Sequence, residues 1–244
     1  MNASGNKGIA IASSILDEVT WAALGGPQAH LAQLDADGRR YTPEVAPFAA
    51  VRGDDVKLVA AMVGRLGAAE TLAFATLAPL GEVDGAVTVM RAMLLQMVLG
   101  DAAAAIDGPT RADIGKLSAN DVPAMLCLAQ ATRPGPFGPR TIEMGSYLGI
   151  RVDGALVAMA GERQRVPGFS EVSAVCVDPA CRGRGYAGAL VARLALDILD
   201  RGAVPFLHVV KENVNAIALY QRLGFVTRRE LHLAIFKNGL RDQT

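Results

Sequence analysis

The alternation of apolar and polar positions is clearest between residues 147 and 177, where it predicts three antiparallel strands. "YLGIRVDGALVAMAGERQ" contains two apolar runs around Asp153-Gly154, a strong two-residue hairpin signal. Pro167-Gly168 then turns the chain into a third run, "SEVSAVCV". Apolar residues next recur at helical spacing from Ala187 to Ile198, which predicts a helix with one buried face.

The segments on either side of this unit also have helix and strand signals. Ser118 with Asp121 three residues later resembles a capping box and predicts a helix that ends near Ala131. Residues 204 to 225, "VPFLHVVKENVNAIALYQRLGF", predict a strand and then a short helix that ends at Gly224.

The first hundred residues have weaker patterns. Residues 14 to 24 predict a helix, Asp37-Gly38 a hairpin-like turn, and Asp54 or Asp55 the cap of a further helix. The runs "ETLAFATLA" and "VTVMRAMLLQMVL" predict strands.

A change of composition divides the chain into two predicted domains. With 244 residues it exceeds the usual size of one domain, and "GDAAAAIDGPTRAD" has the Ala, Gly, Asp and Pro content of a linker. We therefore predict an N-terminal α/β accessory domain over residues 1–108 and a second α/β domain over residues 109–244. A degenerate second copy of the same fold is the alternative for the first part.

Charge and cysteine content limit the classes of partner and compartment. The 24 basic and 24 acidic residues balance, so no global field attracts nucleic acid or an anionic membrane. Cys127, Cys176 and Cys181 are odd in number and form neither a disulfide framework nor a good metal site. No signal-peptide layout is present, and Arg91 interrupts an apolar run too short to span a bilayer. We expect a soluble cytoplasmic protein without metal.

The turn before the predicted helix has the composition of an anion-binding site. Arg182, Gly183, Arg184 and Gly185 follow a strand and open the helix, whose first amides have no internal partner. The glycines let a phosphate approach those amides, and the arginines add positive charge. Neither a P-loop nor a dinucleotide fingerprint is present. A tight turn with two solvated arginines is the alternative.

Two motifs in the right order make the chain similar to the GCN5-related N-acetyltransferases (GNAT). "RGRGYA" fits the family's Arg/Gln-x-x-Gly-x-Gly/Ala loop, which binds the pyrophosphate of acetyl-coenzyme A, and "NVNAIALYQRLGF" resembles its closing motif. With "TRPGPFGPRT" and "MAGER", the second half most resembles the FR47-like branch. The resemblance covers about residues 110 to 240 and implies an α/β (α+β) fold with a mixed, mainly antiparallel sheet flanked by helices.

The resemblance also implies roles for single residues. The backbone after the third strand would hold the pantetheine and the acyl carbonyl, the amides of the turn would bind the pyrophosphate, and Tyr220 would protonate the departing thiolate. A tyrosine packed in the core is the alternative for Tyr220. The implied acetyl-coenzyme A residues are Val175, Cys176, Val177, Arg182, Gly183, Arg184, Gly185, Tyr186, Ala187 and Asn213.

Glu171 is the first candidate for the general base that deprotonates the amine. By the two-residue period of a strand, residues 171, 173, 175 and 177 share one face, so its carboxylate is expected to look along the cleft. Glu162 is the second candidate, and a solvated strand-end carboxylate is the alternative for both. His208 lies inside an apolar strand and is expected to be a hydrogen-bonded core residue.

We therefore expect an acyl-coenzyme A-dependent N-acetyltransferase that moves an acetyl group from acetyl-coenzyme A to a primary amine of a small metabolite or amino acid. The alternatives are an enzyme that modifies a protein or peptide amine, and a non-catalytic acyl-coenzyme A-binding regulator. The acceptor, the acyl-chain preference and the oligomeric state stay open.

Overall fold

A large mixed sheet is the centre of the molecule. The computed structural model describes residues 14–100 and 113–239. Eight strands form the large sheet in the order β4-β11-β5-β10-β9-β8-β7-β6, and three short strands form a second sheet in the order β1-β2-β3. Within the large sheet, β9 and β10 pair in parallel and the other neighbours are antiparallel. The expected α/β fold with a mainly antiparallel sheet flanked by helices is confirmed.

The elements follow one another along the chain with these bounds. The strands are β1 Ala32–Leu34, β2 Gly38–Tyr41, β3 Ala49–Val51, β4 Leu72–Thr76, β5 Ala86–Leu99, β6 Ile114–Leu117, β7 Tyr147–Val152, β8 Ala155–Val166, β9 Phe169–Val177, β10 Val204–Val210 and β11 Phe225–Asn238. The helices are α1 Val19–Leu24, α2 Val56–Gly64, α3 Val122–Thr132, α4 Tyr186–Asp200 and α5 Val214–Arg222.

Local signals explain where several elements begin and end. Asp153 and Gly154 both have positive φ angles, 49° and 84°, as the predicted two-residue hairpin between β7 and β8 requires. The amide of Ser118 donates to the Asp121 carboxylate at 2.8 Å in the predicted capping box, and α3 follows. Asp55 caps α2 by accepting from the amide of Lys57 at 2.8 Å.

The core lies on both faces of the large sheet. On one face α4 buries Leu190, Val191, Leu194 and Ile198 completely. On the opposite face, Leu16 and Val19 of the N-terminal segment pack against Val166, Phe169 and Phe206, while α3 covers the neighbouring part of β8 and β9. The N-terminal segment thus covers the strands in the middle of the sheet.

The two parts of the chain share the large sheet. Strand β5, from the first hundred residues, lies between β10 and β11, which come from the last forty. The predicted boundary at residue 108 lies outside the described residues, so the division at that point stays a prediction.

Burial along α4 gives a direct test of this packing. Leu194→Ala is expected to lower the free energy of unfolding by about 2–5 kcal/mol, because it leaves a cavity where Leu194 is now fully buried. Leu196 lies on the same helix with 41% of its surface exposed. Leu196→Ala is the matched control and should change stability by about 0.5 kcal/mol or less. If urea denaturation shows the same loss of unfolding free energy for both variants, the assignment of buried and exposed faces of α4 is contradicted.

Candidate active site

Strands β9 and β10 separate soon after they meet. They pair only where Val204–Phe206 lies beside Phe169–Glu171. Beyond these residues β10 pairs with β5, and β9 stays paired with β8 on its other side. Among the described strands, none pairs with the free side of β9 after Glu171. An extended ligand that enters this gap can therefore hydrogen-bond to the β9 backbone.

A bulge changes the direction of the β9 side chains inside the gap. Ala174 has a φ of 52°, and the four residues of β9 from Ser173 to Cys176 lie opposite three residues of β8, Met159 to Gly161. As a result Val172, Val175 and Val177 all pack towards α4. The prediction that residues 171, 173, 175 and 177 share one face is wrong, because the extra residue inverts the alternation.

The turn before α4, predicted as an anion-binding site, borders open space. Gly183 and Gly185 have φ angles of 77° and 79°, and a Cβ built on either would meet no heavy atom within 4 Å, so both backbones border open space. Arg182 and Arg184 are exposed beside them. The first bond of the helical ladder joins the amide of Ala189 to the carbonyl of Gly185. The three preceding amides, of residues 186 to 188, are therefore outside that ladder, and the site fits a pyrophosphate group.

Glu171 is fully buried and every carboxylate lone pair has a donor. Arg163 donates to both oxygens, at 2.5 and 2.9 Å, and the Gln164 amide donates to Oε2 at 3.2 Å. Nδ1 of His208 lies 2.6 Å from Oε1. Burial alone would raise the pKa of Glu171, but Arg163 and His208 lower it to about 2. The predicted role as base is untested, and this environment makes the carboxylate a weak proton acceptor.

Glu162, the second candidate for the base, is also buried and bonded. Its Oε2 accepts from Ser170 at 2.5 Å and from Arg201 at 2.7 Å, and its Oε1 faces the Ser146 amide at 3.3 Å. It stays a candidate by prediction, yet its oxygens are engaged in the same way as those of Glu171.

His208 is held at both ring nitrogens, as expected for a bonded core residue. Arg228 donates to the Gln96 Oε1 at 2.7 Å, which leaves the Gln96 amide nitrogen facing His208 Nε2 at 3.0 Å. Because that amide group is a donor, Nε2 accepts and Nδ1 carries the proton that is shared with Glu171. His208 therefore links β9 to β5 through Glu171 and Gln96.

Asn213 precedes α5 and Tyr220 lies within it, and α5 packs beside the turn before α4. The Asn213 side chain accepts from the Ala216 amide at 3.2 Å and caps the helix. Leu219 lies 3.4 Å from the position of a Cβ on Gly188, in the first turn of α4. Tyr220 is buried against Phe225, and burial raises its pKa to about 12. Its packing agrees with the core alternative, and its role as acid stays a prediction.

A cavity that no sequence motif indicates lies on the sheet face opposite α4. Its volume is about 430 Å³, and it is enclosed by residues 14–21, the loop after β3, and the sheet residues Gln164, His208 and Leu231. The residues that form it are far apart along the chain, so no motif announces it.

Two further findings concern membranes and metals. In residues 14–100 and 113–239 no helix is both long and apolar enough to cross a membrane. The same ranges hold no group of three or more His, Cys, Asp or Glu side chains placed to bind a metal ion.

The comparisons with known structures and families agree with this geometry. Residues 147–233 match the model of the family described as FR47-like protein. A protein from Novosphingobium aromaticivorans described as a GNAT-family acetyltransferase superimposes with a TM-score of 0.82. It is 38% identical, and the match covers 91% of this chain and 98% of that one.

Named relatives match over shorter stretches. The N-alpha-acetyltransferase RimI of Mycobacterium tuberculosis is 43% identical over 84 residues, which are 32% of this chain and 51% of that protein. The mycothiol acetyltransferase of Mycobacterium avium is 44% identical over 69 residues, 25% of this chain and 22% of that protein. The chain thus spans about half of the former and about a fifth of the latter.

The bonding of Glu171 predicts how its removal depends on pH. Glu171→Gln should cost about 3–5 kcal/mol of stability near neutral pH, because Arg163 is left as an unpaired buried charge. The folded carboxyl has a pKa below its ordinary 4.5, so its contribution is present above that pH and disappears as the pH falls towards 2. The difference between wild type and variant should therefore shrink over that range.

Urea denaturation at a series of pH values measures this difference. Glu230→Gln is the control, because Glu230 pairs with Lys211 on the surface and contributes about 1 kcal/mol or less. A Glu171→Gln variant as stable as wild type at neutral pH would show that the carboxylate is not structurally engaged.

Proposed function

The chain belongs to the GNAT family of acetyltransferases, and from this premise we propose that it transfers an acetyl group from acetyl-coenzyme A to a primary amine of a small metabolite. The observation that carries the proposal is the combination of the β9–β10 gap with the open glycine turn before α4. A carrier with a pyrophosphate at one end and an extended amide-containing arm at the other matches both features.

The residues around the gap would hold the carrier in two places. The amides of residues 186 to 188 and the guanidinium groups of Arg182 and Arg184 face the pyrophosphate. The free backbone of β9 from Val175 to Val177 pairs with the pantetheine arm. An amide of β9 near the bulge at Ala174 would stabilise the negative charge that develops on the carbonyl oxygen.

The transfer itself needs three proton movements. The acceptor ammonium first loses a proton, and the nitrogen lone pair then forms a C–N bond with the thioester carbon. When the tetrahedral intermediate collapses, the C–S bond breaks and its electron pair leaves with sulfur, which takes up one proton. The nitrogen loses its second proton, so the products are an N-acetyl amine and coenzyme A.

We assign the proton donor to Tyr220 and a positioning role to Glu171. A thiol has a pKa near 8.5, so donation from a phenol with a pKa of about 12 is uphill by roughly 3.5 units and becomes useful only as charge develops on sulfur. Glu171, through Arg163 and His208, fixes β8, β9 and β10 relative to one another. Water is then the acceptor of the ammonium proton.

A protein or peptide amine is the second candidate acceptor. The similarity to RimI, an N-alpha-acetyltransferase, favours it, although that similarity covers only 32% of this chain. A screen of small amines and short peptides for release of coenzyme A distinguishes the two acceptors. If the protein binds acetyl-coenzyme A but releases coenzyme A with none of these amines or peptides, the result would support a non-catalytic regulator instead.

The glycine turn provides a prediction about binding. Gly185→Glu should weaken acetyl-coenzyme A binding by roughly 10-fold or more, because it places a bulky negative group where the pyrophosphate approaches the helix amides. Gly202→Glu is a matched control. Gly202 has a similar φ of 74° and equally open surroundings, but it lies after the C-terminus of α4. Calorimetry that finds the same affinity for both variants would remove the proposed pyrophosphate site.

Tyr220→Phe provides a prediction about chemistry. The ring and its packing remain, but the only proton that the side chain can donate is lost. We expect kcat and kcat/KM to fall together by on the order of 100-fold, measured in single turnovers with an identified acceptor. Tyr147→Phe is the control, because among the described residues the buried Tyr147 hydroxyl has no hydrogen-bond partner. Wild-type turnover by Tyr220→Phe would make Tyr220 a core residue.

A further inference from the structure

The cavity opposite α4 lies beside the buried Glu171 network, at the point where β9 and β10 separate. His208 and Gln164 form part of its wall, and both bond to Glu171, at 2.6 and 3.2 Å. Glu171 is the last residue of β9 that pairs with β10. A molecule in the cavity therefore lies on the opposite side of the gap from α4 and its glycine turn. Its volume of about 430 Å³ is typical of a small-molecule site.

The wall contributed by the N-terminal segment carries two carboxylates without basic partners. Glu18 and Asp54 are exposed at the cavity, and none of the described basic side chains lies within ion-pair distance of either. The third acidic residue of the wall, Asp17, differs because it pairs with Arg228 at 2.6 Å and Arg229 at 3.2 Å. The negative charge of Glu18 and Asp54 is thus available to a ligand.

The remaining wall of the cavity is suited to the aliphatic chain of a ligand. Trp21, Val19, Leu77 and Leu231 contribute apolar surface to the cavity. Arg39 and Arg52 lie near the Trp21 ring, at 3.9 and 5.0 Å from its centre, and neither belongs to the cavity wall. Burial, and in addition the charge of Glu18, raise the pKa of Asp54.

From the cavity, its position beside the Glu171 network and these two carboxylates, we propose that this is the acceptor site and that it selects a diamine over an amino acid of equal length. This inference rests on the proposed acetyl transfer. One nitrogen of the diamine would face the thioester in the gap, and the second, as an ammonium, would lie beside Glu18 and Asp54. An amino acid would place its own carboxylate there and be repelled.

Two four-carbon probes that differ only at one end test the proposal. Calorimetry compares 1,4-diaminobutane with 4-aminobutanoate on the coenzyme A-bound protein. Wild type should bind the diamine about 10-fold more tightly, a preference of about 1.4 kcal/mol. The Glu18→Gln/Asp54→Asn variant should lose most of that preference. Asn tolerates the positive φ of 52° at position 54, so the backbone is kept.

Glu82→Gln/Asp84→Asn is the matched control. Both residues are exposed and lie outside the cavity wall, and the change in net charge is the same. The control should keep the wild-type preference for the diamine. Equal binding of the two probes by wild type, binding of neither, or an unchanged preference in the Glu18/Asp54 variant would overturn the inference.

A parallel assay of coenzyme A release separates this failure from failure of the proposed function. If coenzyme A is released equally well with the diamine and with the amino acid, the acceptor inference is contradicted but acetyl transfer is supported. Charge-selective binding without any release would support the cavity as a ligand site and contradict the transfer reaction.

Discussion

The buried carboxylate of Glu171 holds the three strands around which the candidate site is built. It bonds to Arg163 and Gln164 of β8 and to His208 of β10 from its own position on β9. These contacts lie at the last residue pair before β9 and β10 separate. The Glu171 contacts therefore hold β9 and β10 together at the residue pair after which the two strands diverge. Loss of any charged partner would leave a buried charge, which is costly.

Strand β10 can leave β9 because β5 supplies its backbone partners. From Phe206 to Val210 it pairs with β5, so only the edge of β10 that faces the gap lacks backbone partners from another strand. Gln96 of β5 also bonds to His208, which ties this pairing to the Glu171 network. The N-terminal half thus contributes directly to the gap, both through β5 and through the segment that encloses the cavity.

The parts of the site that the sequence predicted are those set by the preferences of a few adjacent residues. Gly183 and Gly185 adopt the left-handed conformation that glycine favours in the turn before α4. The family motifs then indicated the pyrophosphate turn. The hairpin at Asp153-Gly154 could be predicted for the same local reason.

The parts that the sequence did not predict depend on residues far apart in the chain. Ala174 has no side-chain preference that signals a bulge, and its positive φ reflects the pairing of β9 with β8. The partners of Glu171 lie 8 and 37 residues away, so the period-two pattern alone could not show that the carboxylate was occupied. The position of β5 between β10 and β11 likewise depends on long-range pairing.

The polar groups near the gap fall into two sets, those bonded to other protein groups and those without basic partners, and we expect the two sets to have different roles. Glu162, Glu171 and His208 all bond to protein donors and acceptors, so they hold β8, β9 and β10 together. Glu18 and Asp54 are exposed to solvent in the cavity wall and are the carboxylates there without basic partners among the described residues. Under the proposed function, a proton lost by the acceptor would leave through water on this open side. Rigid geometry and proton exchange with solvent would then be served by different residues on the same face of the sheet.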